Sequence, residues 1–242
     1  MLAFVGIDDT DAKEAGARGS GRGTGRVARE AACELIKAGF KVRWVLRHQL
    51  VSREFVRTPG NNSSKSITLE VCDEAEALDA LNVVESVVRE LSSPESNAGI
   101  ALCTATPPPP KALKLAEGVK VRLVSIDEVY RAAEECGVEL RPVLGDGSGV
   151  VGAFAAAVLA ATGNDGRVLD IPATGLRRYK GMTLSVAELL KLGISEVRST
   201  EGRVLRPEEV VRAEDLKPVM RCFKPVLYVR REGGVWVAVR VE

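Results

Sequence analysis

The sequence predicts a mixed α+β protein. Two observations carry that class: apolar runs of strand length recur at residues 2–7, 41–50, 65–72 and 99–104, and a stretch of helical spacing follows the first and the third of them. In chain order this reads β-α-β-β-α-β, the split βαβ order of ferredoxin-like units. A third observation, the run Pro107 to Pro110, predicts a stiff polyproline spacer and with it a boundary before a second α+β unit. The predicted parts are residues 1–105, 106–165 and a C-terminal helix-and-hairpin region over 166–242.

The first run is apolar throughout and stops abruptly at Asp8 and Asp9, which reads as a buried strand ending in carboxylates. After a glycine- and arginine-rich stretch, Val27, Ala28, Ala31, Ala32, Leu35 and Ile36 form a helical stripe that starts after Thr24 and stops at Gly39. Val42, Trp44 and Leu46 alternate along a strand with a basic edge. Residues 51–64 read as a loop, with Pro59, Gly60, Asn61 and Asn62 as its turn chemistry. Ile67, Leu69 and Val71 mark the next strand, and Asp73 caps a helix through Ala77, Leu81, Val84, Val88 and Leu91.

Beyond the prolines the pattern predicts strands over 119–126 and 138–144, a helix over 127–136 between them, and a very apolar helix over 150–162. That last helix is opened by Gly145, Asp146, Gly147, Ser148 and Gly149. Thr183 is placed as the cap of a helix ended by Gly193, and Gly233 and Gly234 turn a hairpin between 226–229 and 235–241.

Composition bounds the function. The chain has 242 residues, 45% apolar and 28% charged, with a net charge of +1, so any nucleic-acid binding must come from a local patch. No apolar run is long enough to span a bilayer and the N-terminus reads as a strand instead of a leader, so the expected place is the cytoplasm, with no membrane partner. Five separated cysteines and the single histidine, His48, give no zinc spacing; the thiols are read as buried and free, and His48 as structural. Trp44 and Trp236 are read as core residues.

Asp8, Asp9 and Asp11 crowd three carboxylates at one strand end, before glycines that are entropically costly to order. A cation and a phosphate would compensate both, and magnesium suits a strand-end Asp pair. An Asx turn accounts for one aspartate, less well for three. Arg18, Arg22 and Arg26 suit phosphate contacts or a solvated face equally. The Gly145 loop suits phosphate binding at a helix N-terminus and close helix packing equally.

These residues resemble archaeal tRNA-isoleucine agmatidine synthetase. Gly6-Ile7-Asp8-Asp9-Thr10-Asp11 is similar to its aspartate motif, Arg57-Thr58-Pro59-Gly60-Asn61 to its basic loop, and Gly145-Asp146-Gly147-Ser148-Gly149 to its glycine segment. The likeness covers roughly residues 1 to 165, the kinase-like and ferredoxin-like part, without the OB-fold and zinc ribbon. It implies ATP and Mg2+ as cofactors and Mg-ATP-dependent phosphoryl transfer related to tRNA modification, with Asp8, Asp9 and Asp11 on the metal. Asp8, Thr24 as phospho-acceptor and Arg57 would be catalytic, and Gly23, Thr58, Gly60, Asn61 and the Gly145 to Gly149 loop would hold the nucleotide. The implied partners are a nucleotide and tRNA or other RNA, with a homodimer or a separate RNA-binding chain left open. A non-catalytic nucleotide- or RNA-binding module is the alternative.

Overall fold

The computed structural model describes residues 1–11, 23–51 and 62–241. Its first half has the expected order: β1 (Leu2–Asp8), α1 (Thr24–Lys37), β2 (Lys41–Gln49), β3 (Ser63–Glu70), α2 (Glu74–Leu91) and β4 (Gly99–Cys103). The strands lie antiparallel in the order β4-β1-β3-β2, the ferredoxin-like arrangement. Ala3, Val5 and Ile7 of β1 face a core shared with α1 and α2, while Phe4 joins the core on the other face. A strand covered on both sides has no polar face, hence its unbroken apolar run. Asp73 caps α2 by accepting from the Glu76 amide, as expected.

The segment after the prolines differs from its prediction in one place. Pro110 does not extend a spacer; it opens α3 (Pro110–Val119), at the helix position where a missing N–H costs nothing. The strand expected over 119–126 is therefore absent. Its end supplies a capping box, with Ser125 and Glu128 bonding each other's main-chain N–H groups, and α4 (Ile126–Cys136) follows. β5 (Glu139–Pro142) pairs with β4, and α5 (Val150–Ala161) covers the sheet face opposite α1 and α2.

The C-terminal region continues the same sheet. β6 (Arg167–Asp170) pairs with β2, and β10 (Val219–Arg221), β11 (Lys224–Glu232), β12 (Val235–Ala238), β9 (Val210–Arg212) and β7 (Thr183–Ser185) follow outward, with β8 (Glu196–Ser199) parallel to β11. Thr183 lies in β7, and Ser185 takes the predicted capping role for α6 (Val186–Lys191). The thiols are free but not uniformly buried: Cys103 is buried, whereas Cys33, Cys72 and Cys222 are exposed. Trp44 is core, but Trp236 is half-buried, its ring under Arg203 and Arg231 and its Nε1 donating to Glu209. No described helix is long and apolar enough to cross a membrane.

What positions the site is the seating of α5. A Cβ on Gly6 of β1 would overlap the Ala153 carbonyl, one on Gly99 of β4 would overlap the Val150 amide, and one on Gly152 would overlap the Asp8 carboxylate. The helix thus lies backbone-to-backbone on β1 and β4, its alanines buried on every side. Gly6→Ala is expected to destabilise the protein by about 3 kcal/mol or more in urea unfolding, since backbone on both sides must shift. Gly25→Ala, where the nearest atom is a side-chain carbon 3.5 Å away, is expected to change stability by less than about 1 kcal/mol. Equal effects at the two positions would refute close seating of the helix.

Candidate functional site

β1 runs out at Asp8, and Asp9 turns the chain with a φ of 53°. The turn is anchored by Thr10, which is fully buried: its carbonyl accepts from the Ser93 amide at 3.0 Å and its hydroxyl donates to the Thr24 hydroxyl at 3.0 Å. Asp11 in turn accepts a bond from the Thr24 main-chain N–H, which ties the acidic turn to the first residue of α1. Gly23 lies beside the Asp11 carboxylate.

Lys65 completes the group. The register places it opposite Ile7 on β3, only 7% exposed, under the first turn of α1. Its ammonium donates to the Ser63 carbonyl at 2.6 Å and hydroxyl at 3.2 Å. Burial dominates the electrostatics on both sides. It pushes the Asp8 carboxyl up to about 7 against the pull of Lys65 and the Asp9 amide, with the charges of Asp9 and Asp11 adding to the rise. Asp11 is raised mainly by the same desolvation. Lys65 is pushed down to about 8 by burial, reinforced by Arg47 and Arg29 and opposed by Asp8 and Asp11.

Asp8, Asp11, Gly23 and Thr24 are thus brought together. Arg18, Arg22, Arg57, Thr58, Gly60 and Asn61 lie outside the described residues. The Gly145 loop is near, since Gly149 packs on the Asp8 main chain. The amides of Asp146, Gly147, Ser148 and Gly149 donate to Asn97 Oδ1, the Leu144 carbonyl, Asp146 Oδ1 and the Asn97 carbonyl respectively. In this conformation the loop spends these donors on holding its own shape and so sets α5 against Asp8; of the two readings of the loop, close packing is the one these contacts fit. Thr24 is only 6% exposed, its hydroxyl turned to Thr10.

Among the described residues no three metal-ligating side chains converge. A carboxylate pair nonetheless fits Mg2+, which takes one or two carboxylates and fills its octahedron with phosphate oxygens and water. The fit rests on the buried Asp11 Oδ1, which has no hydrogen-bond partner, beside an Asp8 whose ionisation the protein resists. Sequence reasoning missed Lys65 and Asn97, because only the pairing of β3 with β1 and the seating of the loop bring them to the site.

Because the folded-state value of Asp8 lies above its ordinary 3.8, its contribution to stability is full below pH 4 and is lost as pH rises through about 7. Asp8→Asn is therefore expected to make the ligand-free protein more stable by about 1–3 kcal/mol at pH 8, with no gain at pH 4. Thermal unfolding at the two pH values checks this; a variant equal to or weaker than the parent at pH 8 would contradict it.

No protein-family model and no curated protein matches the sequence. Solved structures do. The chain is similar to the crystal structure of a tRNA fluorescent labeling enzyme, with a TM-score of 0.54 and 24% identity. It is also similar to the agmatidine synthetase TiaS in complex with its isoleucine tRNA and ATP, with a TM-score of 0.52 and 25% identity. Each match covers 65% of this chain and 36% of the other, so the chain spans about a third of the length of those proteins and resembles one part of them.

Proposed function

We propose that this chain works in tRNA modification, binding Mg-ATP at the Asp8–Asp11–Lys65 cluster and transferring a phosphoryl group. The observation that carries the proposal is a partly buried acid pair, with a buried and unpartnered Oδ1 on Asp11, beside a buried lysine, in a fold shared with an enzyme crystallised with tRNA and ATP. Asp8 and Asp11 would hold the magnesium, with Asp9 at the turn between them. Bound there, the ion would screen phosphate charge and fix the phosphates for in-line attack. Lys65, its carbon chain packed under α1 and its ammonium now on Ser63, would meet the phosphates. Arg57 would neutralise charge as the phosphoryl group moves. tRNA is the proposed partner, with a second copy of this chain or a separate RNA-binding chain as further proposed partners, in the cytoplasm.

Thr24 is the acceptor this reading assigns, by its place beside Asp11 at the start of α1. Its burial favours a second reading, in which the site binds nucleotide without turnover. Incubation with γ-labelled ATP and magnesium separates the two. Phosphoryl transfer predicts label on the protein or its RNA that is lost in Asp8→Ala, and a fall of about 100-fold or more in rate for Lys65→Ala. Binding without turnover under any RNA supports the second reading, and no binding of Mg-ATP would sink both.

A further inference from the structure

A cavity of about 270 Å³ opens where β2 ends and β6 begins, away from the acidic turn, lined among others by Arg47, Lys120, Asp165, Arg167 and Arg221. Four of these five side chains are cationic. The single acid is already engaged: Asp165 accepts from Lys120 at 2.5 Å and bonds His48 Nδ1 at 2.7 Å. His48 is fully buried, and its Nε2 meets Ser66 Oγ at 2.8 Å, so the carboxylate is fixed from behind and is not available to the arginines.

The sheet register makes the charge arrangement costly. Lys65 lies opposite Arg47, and Arg47 lies opposite Arg167, so three adjacent strands carry three cations in one row on the α1 side of the sheet. Like charges directly opposite one another destabilise a sheet. Arg167 is 9% exposed, and its buried Nη1 has no hydrogen-bond partner. A buried guanidinium is normally paired, and a missing partner at a cavity wall is a place for an anion. Arg221 closes the other side of the cavity while donating to the carbonyls of Asn164 and Met220.

We infer that this cavity is an oxyanion site that takes a phosphate of an RNA strand on Arg167 and Arg221. Three strand spacings, from β6 through β2 and β3 to β1, put about 14 Å between the cavity and the carboxylates. The oxyanion site stands on the cavity alone; the choice of RNA rests on the proposed role in tRNA modification.

The test uses the full chain, a fluorescent single-stranded RNA oligonucleotide followed by anisotropy over a range of salt concentrations, and separate titrations with inorganic phosphate and Mg-ATP. Arg167→Gln is expected to weaken the RNA about tenfold and to lower the salt slope by about 1, with Mg-ATP affinity within about twofold of the parent. Arg221→Ala, at an exposed position, is expected to shift RNA binding in the same direction without lowering the melting temperature. Phosphate competing with the RNA in the parent but not in Arg167→Gln supports the oxyanion site; phosphate bound at the cavity with RNA affinity unchanged in both variants overturns the RNA assignment. Equal losses of RNA and Mg-ATP would assign the arginines to the nucleotide site and overturn the inference. Failure of the parent to bind Mg-ATP would overturn the proposed function alone, since the RNA and phosphate titrations do not depend on it.

Discussion

Direct contact between the backbone of α5 and the backbones of β1 and β4 is the constraint on which the rest of the structure depends. Gly6, Gly99, Gly149 and Gly152 remove the side chains that would hold the helix away, and the alanines of α5 fill what remains. Seated this closely, the helix shuts the sheet face behind β1 and presses its first turn on Asp8. Water is thereby removed from a carboxylate at the end of a strand, and the raised Asp8 follows from that burial more than from its charged neighbours.

One end of the central strands then carries two opposed charge problems. At the end of β1 the acids resist ionisation, while from β3 to β6 the cations stand opposite one another, with Lys65 discharged more easily than an ordinary lysine. Lys65 joins the two groups, since it faces Asp8 and Asp11 on one side and Arg47 on the other. The acids are held against desolvation, and Arg167 keeps a buried Nη1 with no hydrogen-bond partner; a cation at the acids and an oxyanion at Arg167 would offset the two separately. Ligand binding of either kind would stabilise the folded state by mass action. The cost lies in desolvation and like-charge contact, with Asp9 the one described non-glycine left-handed residue in the acidic turn.

The β-α-β-β-α-β half is legible in the sequence because each element carries its own period: β1 is apolar on both faces, and α1 and α2 show helical stripes closed by recognisable ends. The acidic turn is legible too, since an ordinary turn has little use for three carboxylates within four residues. The sequence misleads where a local signal is ambiguous. A proline run signals stiffness, yet its last member also fits the first turn of a helix, and the apolar residues after α3 mask the capping box at Ser125. Lys65 is invisible as a site residue because its position is set by strand pairing, which lies in no single segment. The same holds for the basic row, whose members Arg47, Lys65 and Arg167 are far apart along the chain and adjacent only in the sheet. The Gly145 loop supports two readings of equal standing, and only the seating of its amides distinguishes them.

Whether the Asp8 and Asp11 carboxylates and Lys65 form the cation and phosphate site of a nucleotide is tested most directly by a crystal of the protein grown with ATP and Mn2+ in place of Mg2+, measured for anomalous scattering from the manganese. The expected result is one strong peak within about 2.2 Å of the Asp8 and Asp11 carboxylate oxygens, with a phosphate against Lys65. Bound ATP with the manganese elsewhere, or with no peak at this turn, would contradict the assignment.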